Sequence, residues 1–489
     1  MNSDKRLTMI AAAALISACA VGPDFKPPAP PSTEAFTAGT QPTSTASAPG
    51  PGGEAQHFLA GSDVPEEWWT LFHCAALDRL IEEALANSPT LTQARARLLQ
   101  ARENFNAQAG ATRYPAVDAQ LGVTREKVDP TVFGIPNVPS PAPFTLYNAQ
   151  VNVFYTLDFF GAQRRALEGL QAQTEYQAYE ARAARLTLAA NVASAAIRQA
   201  ALQAQIEITE QMLQAQARQL AITEARYQAG GVSLQDLHSE RTLVAQTRAA
   251  LPSLRAQRQQ VDHQLAVYTG KAPAQAAIPQ FKLDDLQLPT ELPLTLPSVL
   301  VRRRPDVRAS EALWHEAGAE LGVATANLFP QLTISGSAAT QRTHAADLVD
   351  GINVWSAGAK LMQPIFHGGE LRAQKRAARA AYDAAAAAYE QTVLQALQQV
   401  ADSLRALEED AHALEARAEA SEQADASFDI AAERYEAGGI SQLALLDAQR
   451  LKLQATLDRS RAQADRDSDS VALLQSLGGG WREESAETE

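Results

Sequence analysis

The strongest constraint on this chain is that it contains one unit twice. Arg226-Tyr227-Gln228-Ala229-Gly230-Gly231-Val232-Ser233 returns 208 positions later as Arg434-Tyr435-Glu436-Ala437-Gly438-Gly439-Ile440-Ser441. The same offset of 208 pairs Gly161 with Gly369, Leu186 with Leu394, Val192 with Val400, Leu243 with Leu451, Leu265 with Leu473 and Gly270 with Gly478. A gap-free register over that distance marks an internal duplication. The boundaries it implies are a first repeat at 62–270, a linker at 271–305 and a second repeat at 306–478, followed by an acidic tail at 479–489.

Each copy reads as strand, loop, strand, very long helix, Gly turn, second helix. No proline occurs from Gln163 to Ala229, and Leu186, Ala190, Ala193, Ile197, Ala200 and Ala204 step by fours and threes, the spacing of a coiled-coil seam. Those 67 residues would run roughly 100 Å as a helix, far beyond an average globular one. The returning helix places Leu237, Val244, Leu251, Leu254, Val261 and Leu265 at heptad-compatible positions, with a bend expected at Pro252. Aromatic residues are only 6% of the chain, which excludes a large compact core and favours long helices with a thin alanine-rich stripe. Such helices need neighbours on both sides, so a ring of subunits is expected.

Strands are expected at Val117–Thr124, Tyr147–Phe159, Leu332–Gln341 and Ile352–Ile365. Val151, Val153, Tyr155 and Leu157 alternate with Gln150, Asn152, Thr156 and Asp158, with Phe154 out of phase. Tyr147, Phe154, Phe159, Trp355 and Phe366 would suit interfacial girdles. Four strands cannot close a barrel, whereas three chains would supply twelve, within the ~8 to 26 of bacterial barrels. No run after residue 18 is long and apolar enough for a membrane helix, so any membrane crossing must use strands. A soluble sheet remains the alternative on periodicity alone.

The first residues, Lys5-Arg6 and the apolar run Leu7 to Ile16 before Ser17-Ala18-Cys19, read as a secretory signal over 1–18. A small residue before Cys resembles the bacterial lipoprotein signal, which makes Cys19 the expected lipidation site and 19–61 a lipid anchor and flexible tether. Ala20, in place of aspartate, resembles lipoproteins sorted to the outer membrane. Cys74 is the only other cysteine, so no intrachain disulfide is expected once Cys19 carries lipid. The formal charge of −14 argues against nucleic acid as a partner. The eight histidines are scattered without ligand spacing and no Gly-rich phosphate loop occurs, so no enzyme, no metal and no cofactor beyond the Cys19 lipid is expected.

Taken in order, these residues resemble the TolC-type outer-membrane factors, in particular the NodT-like lipoprotein branch serving resistance-nodulation-division (RND) efflux pumps. The resemblance is carried by Cys19-Ala20-Val21-Gly22-Pro23-Asp24-Phe25, by Trp68-Trp69 with Phe72 and Leu77, and by Asn87-Ser88-Pro89-Thr90-Leu91. Leu157-Asp158-Phe159-Phe160-Gly161, Pro364-Ile365-Phe366-His367-Gly368-Gly369 and Arg303-Arg304-Pro305-Asp306-Val307-Arg308 complete it. The resemblance implies a mostly α homotrimer in which a twelve-stranded membrane β-barrel, four strands per chain, continues into a long α-helical periplasmic tunnel. It implies an outer-membrane exit duct of a Gram-negative bacterium, opened when a periplasmic adaptor (membrane fusion) protein and an inner-membrane RND pump dock.

On the same grounds Arg226, Gly230, Ser233, Arg434, Gly438 and Ser441 match the tip motif that meets the adaptor. Asp236 and Asp447 match acidic positions of the closed aperture, making its opening sensitive to pH and cations. Ala444 stands where some members carry a second acid, so a double acidic ring is not expected, and Leu443 or Leu446 would supply an apolar constriction instead. Tyr435 and Arg434 are expected to hold the tips inward. A periplasmic adaptor is the first rival, disfavoured by the duplicated hairpin; a structural lipoprotein tether is the second, disfavoured by the paired strands and the Pro-rich loop Asp129 to Phe144. Two methionines after the signal, Met212 and Met362, disfavour a copper-specific duct.

Overall fold

In the computed structural model, residues 21–481 are described, apart from 30, 34, 39–41 and 135–138. Cys19, the signal at 1–18 and residues 482–489 lie outside the described residues. The chain divides into two compact units: Met1–Pro27, Arg97–Gln177 and Ser310–Tyr389 form the first, and Pro28–Ala96, Ala178–Ala309 and Glu390–Glu489 the second.

The first unit holds a four-stranded antiparallel sheet of β2 (Ala116–Glu126), β3 (Phe144–Leu157), β5 (Gln331–Arg342) and β6 (Val354–Met362), in the order β2-β3-β5-β6. Register decides its chemistry. Leu121 stands opposite Ala149, Val151 opposite Ala119 and Ala338, and Leu332 opposite Leu157 and Leu361, so one face is apolar from edge to edge. The other face carries Asn148, Gln150 and Asn152 hydrogen-bonded in a ladder along β3, with Thr156 meeting Thr333 at 3.3 Å and Ser337 meeting Ser356 at 2.8 Å. A one-residue slip would interchange the two faces, so the side-chain pattern itself fixes the pairing. Leu121 is 81% and Trp355 76% exposed, an apolar surface that water does not favour. The strand limits differ from the sequence expectation at both ends. β3 begins at Phe144, directly after Pro143, and β6 stops at Met362 because Pro364 has no amide to donate.

The second unit carries the distal lengths of two helical hairpins. α3 (Ala162–Gln228) and α7 (Glu370–Glu436) are each 67 residues long and begin 208 positions apart; α4 (Leu234–Tyr268) and α8 (Gln442–Ser476) are each 35 residues with the same displacement. α4 continues through Pro252. The shorter helices are α1 (Ala75–Asn87), α2 (Pro89–Arg113), α5 (Pro297–Arg303) and α6 (Pro305–Ala326). Pro begins α2, α5 and α6, where its missing amide has no intrahelical partner to lose.

The core of this unit corrects the expectation of a thin seam. From Leu188 to Leu202 only Asn191 and Arg198 of α3 stay exposed. Trp68, Phe72, Leu77, Ile81, Phe281, Leu292, Leu300, Leu473 and Leu474 are fully buried in the same cluster. Over that stretch the helix is packed on nearly every side, with Asn191 and Arg198 marking its narrow exposed strip.

The tether reading is corrected as well. β1 (His57–Ala60) pairs in parallel with β4 (Glu291–Leu294). Gln56 donates to Pro289 O at 3.0 Å and Ser470 Oγ at 2.9 Å. Arg466, fully buried on α8, donates to Thr45 Oγ1 at 2.9 Å, Glu54 O at 2.7 Å, Gly52 O at 3.1 Å and Gln56 Oε1 at 3.2 Å. A buried guanidinium must satisfy its fork of donors, and the Pro/Gly-rich segment supplies the oxygens. The C-terminal boundary moves too, since Gly479 and Gly480 pack against Leu186 and Val64-Pro65, and the Arg182 guanidinium lies 4.4 Å over the Trp481 ring.

Candidate functional site: the paired hairpin tips

Both long helices end in the same hydrogen-bonded stop. Gly231 N donates to Arg226 O at 2.8 Å and Gly230 N to Tyr227 O at 3.0 Å; Gly439 N donates to Arg434 O at 2.7 Å and Gly438 N to Tyr435 O at 3.0 Å. These are Schellman closures, which need a left-handed residue after the cap. Gly230 at φ +72° and Gly438 at +75° provide it, and a Cβ at either would meet open space. Glycine is therefore required by backbone sterics rather than by a close neighbour.

The returning helices start differently. Ser233 Oγ accepts from Asp236 N at 3.1 Å, while Asp236 Oδ2 accepts from Ser233 N at 3.0 Å and Ser233 Oγ at 2.7 Å, a reciprocal capping box. Those bonds from the Ser233 side chain and backbone hold the Asp236 carboxyl below the usual aspartate range. At the second tip Ser441 Oγ accepts from Ala444 N at 3.3 Å and no carboxylate answers.

The two tips are tied at one point. Arg226 donates to Gln442 Oε1 at 3.0 Å, Gln442 donates to Thr223 Oγ1, and the Arg226 guanidinium sits 5.5 Å over the Tyr435 ring. Tyr435 thus takes part as expected, but its partner is Arg226. The Arg434 side chain has no hydrogen-bond or ion-pair partner among the described residues and stands exposed. Gln442 and Thr223 are the members that sequence reasoning missed. A glutamine at the first position of a helix carries no signal until its neighbour across the bundle is known.

Arg226, Gly230, Ser233, Arg434, Gly438, Ser441, Asp236 and Asp447 are all exposed, with Asp447 3.9 Å from Arg450. Leu443 is exposed, whereas Leu446 is buried within the unit and so is not free to line an aperture. Farther along α7 and α8 a second acidic group gathers. Burial, then the neighbouring Asp469 and Asp465, pushes the Asp410 carboxyl up to about 7. Burial pushes Asp467 up to about 8 against the opposing pull of Arg466. Among the described residues no three His, Cys, Asp or Glu side chains are grouped to hold a metal ion, and no helix is long and apolar enough to cross a membrane.

Known proteins share this arrangement. The family model described as outer membrane efflux protein matches residues 80–271 and 296–479. The chain is 31% identical over 427 residues to the pyoverdine export outer membrane protein OpmQ of Pseudomonas aeruginosa, covering 86% of this chain and 88% of that one. It is 30% identical to the outer membrane protein OprJ of the same species, covering 96% and 94%, and 30% identical to the toluene efflux pump outer membrane protein TtgI of Pseudomonas putida, covering 96% of each. Among solved structures, the outer-membrane channel OprN superposes with a TM-score of 0.81 at 29% identity, over 95% of this chain and all of that one. The outer membrane protein VceC of Vibrio cholerae gives 0.76 at 27% identity, over 85% and 99%. The two matched stretches span well over half of the chain and hold both tip turns and all four strands of the sheet, and this chain is a member of the outer membrane efflux protein family.

Proposed function

We propose that three copies of this chain form a passive exit duct in the outer membrane, the last component of a tripartite efflux pump. Four strands from each copy join in one twelve-stranded barrel, and the hairpins continue the duct toward a periplasmic adaptor and an inner-membrane RND pump that supplies the energy. The observation that carries this reading is the sheet, with one apolar face, one polar face and two open edges, β2 and β6. In hydrocarbon every backbone group must find a partner, so such edges require closure with other copies.

The tips are the gate in this reading, and the second hairpin is its moving part. Its cap is one-sided, and it is joined to the first tip chiefly through Gln442 and Tyr435, both contacting Arg226. Asp447 and Leu443 face solvent beside it, while Asp236 serves its capping box and would not titrate in the physiological range. Arg226, Gly230 and Ser233 with Arg434, Gly438 and Ser441 form the adaptor-facing surface. Cargo identity belongs to the pump that docks. The relatives' names, pyoverdine export in one and toluene efflux in another, support a duct that does not select by chemistry.

Cys19 carries the lipid in this account. Support comes from the five residues that follow Ala20: Val21 N donates to Phe160 O at 3.1 Å, Asp24 pairs with Arg165 at 2.7 Å and Phe25 stacks on His315 at 4.5 Å between ring centroids. All of these partners belong to the unit that holds the sheet, so the chain from Val21 to Phe25 is fixed to that unit. Reconstitution of Arg226→Ala and Tyr435→Ala in planar bilayers tests the gate. Each is expected to raise single-channel conductance severalfold, and variants as closed as the parent protein would remove the tips from the gate.

A further inference from the structure

The apolar face of the sheet carries charge at one end only. By the strand register, that face holds the odd-numbered residues of β2, β3 and β6 and the even-numbered residues of β5. Along all four strands its charged side chains are Arg125 on β2 and Arg342 on β5 and no others. Both are basic, and both stand at the end away from the helices, beside the β2–β3 and β5–β6 loops. At the helix end the same face shows Val117, Leu157, Leu332 and Leu361, without charge. The polar face is mixed by contrast, with Asp118, Glu126 and Lys360 distributed over both ends.

The register also sets the height of the two arginines. Arg342 stands opposite Tyr147, and Arg125 opposite Thr145, to whose Oγ1 it donates at 3.2 Å. From Leu157, the last residue of β3, to Tyr147 is ten residue steps, about 33 Å of strand, or about 25 Å of height at the usual tilt of barrel strands. That is the height of the apolar band of a bacterial barrel, so Arg342 falls at its far edge and Arg125 two residue steps farther out. A charge at the middle of such a band is strongly disfavoured, and one at its edge is nearly free. The two side chains therefore stand where lipid headgroups would meet the barrel.

Neither guanidinium has a carboxylate partner among the described residues; Arg342 reaches Gln341 O at 3.4 Å and Arg125 reaches Thr145. Nearby acids are turned elsewhere: Glu126 falls on the polar face, Asp129 accepts from Thr131 N at 3.0 Å, and Asp347 faces His344 at 3.7 Å. With one strand between them and an offset of two residues, the Cα atoms of Arg125 and Arg342 are about 12 Å apart. Two extended guanidiniums at that spacing can share one phosphate or take two phosphates of a single headgroup. The planar arginine fork matches phosphate oxygens in pairs.

We propose that Arg125 and Arg342, with Thr145 and Tyr147 between them, form a site on the outside of the barrel for the phosphates of a lipid headgroup in the leaflet at the loop end. The ligand is a phosphorylated membrane lipid rather than a free anion, because Leu121, Val123 and Ala149 continue the same face directly below and receive acyl chains. The inference rests on the exit-duct reading, in which the loop end faces the outer leaflet, and deepens it. It gives the outer surface of the barrel a ligand of defined chemistry, and gives it in one leaflet alone.

The full-length protein, purified in detergent and titrated with diphosphoryl lipid A, tests this by native mass spectrometry. The unaltered trimer should take up one such lipid per subunit and far less phosphatidylethanolamine. Arg125→Gln and Arg342→Gln should each weaken uptake about fivefold, and the two together by the product of the single effects. Lys360→Gln, on the polar face, should leave uptake unchanged. Should Arg342→Gln fail to assemble, Arg125→Gln carries the test alone, since that side chain is exposed. Uptake in the arginine variants equal to that of the parent overturns the inference, as does an equal loss in Lys360→Gln or equal uptake of phosphatidylethanolamine. Displacement of the lipid by inorganic phosphate at matched phosphate concentration overturns it too, by marking an anion site without a lipid. All of these outcomes leave a trimer standing; a monomeric mass would instead sink the barrel reading.

Discussion

At the first hairpin tip Ser233 and Asp236 cap each other, and Arg241 and Arg255 reach across to Glu224 and Glu210; at the second tip Ser441 faces Ala444 and the cap is one-sided. The seams diverge as well. Gln216, Gln219, Thr223, Glu240 and Thr247 are buried in the first hairpin, and the repeat-equivalent positions of the second hold Ala424, Ser427, Ala431, Ala448 and Ala455. What both copies keep is what the backbone demands, the left-handed glycines and the Schellman bonds. The second hairpin has cross-helix ion pairs of its own, Lys452–Asp425 at 3.1 Å and Arg417–Asp458 at 3.8 Å, so what differs is the cap at the tip and the side chains of the seam. The polar seam is incompletely satisfied, since Gln216 Oε1, Gln219 Nε2 and Glu240 Oε1 are buried without a hydrogen-bond partner, whereas the small residues of the second seam leave no such groups and let its helices lie close.

The contrast can be broken most strongly at a pair of equivalent arginines. Arg466 is fully buried beneath residues 45–56, and its counterpart Arg258 is partly exposed and bonds Gln203 at 2.8 Å and Gln280 at 3.1 Å. Arg466→Ala should cost about 3–5 kcal/mol by leaving buried oxygens unpaired, and Arg258→Ala about 1 kcal/mol or less, measured by denaturant unfolding of the detergent-solubilised protein. Equal losses would mean that the N-terminal segment is not held as described.

At the turns, Gly230→Val and Gly438→Val should each cost about 1–2 kcal/mol, because both must adopt positive φ without steric relief. Similar values at the two sites would sharpen the view that the backbone, not the seam, is what the duplication conserves. One step smaller, Ser233→Ala should cost about 1 kcal/mol and exceed Ser441→Ala, since only the first removes a reciprocal box. A larger loss at Ser441 would contradict the assignment of the second tip as the looser one.

The smallest effect concerns pH. Asp410, on the second hairpin only, keeps its proton in the folded protein up to about 7 instead of the ordinary 3.8. Folding therefore holds a proton that the unfolded chain releases, so stability from this site is complete below the unfolded value and lost as pH rises through about 7. Asp410→Asn should flatten the decline between those limits in a series of unfolding curves. An unchanged slope would assign the decline to other groups, with Asp467 the first to be examined by the same substitution.

Sequence alone made the hairpins legible because duplication, absence of proline and paired glycines are local signals that survive any context. The sheet was legible in outline, since Val151, Val153 and Leu157 keep their alternation, but its ends were set by Pro143 and Pro364, whose effect depends on the partner strand. The strap from Thr45 to Ala60 was not. Its composition is that of a disordered linker, and the residue that orders it, Arg466, reads like any arginine on a helix surface until its neighbours over 400 positions away are in place. At Asp236 the pattern Ser233-x-x-Asp236 carries a capping signal in plain view, and the structure shows that box formed.

The central claim is that this chain conducts only as a closed ring, and it is tested most directly by native mass and single-channel conductance of the same detergent-purified sample after reconstitution in a planar bilayer. A trimer that conducts weakly at rest and more strongly after Arg226→Ala is the predicted result. A monomer or dimer without conductance, in the parent protein and in the variant alike, would contradict the barrel and leave a periplasmic helical protein with an unpaired sheet.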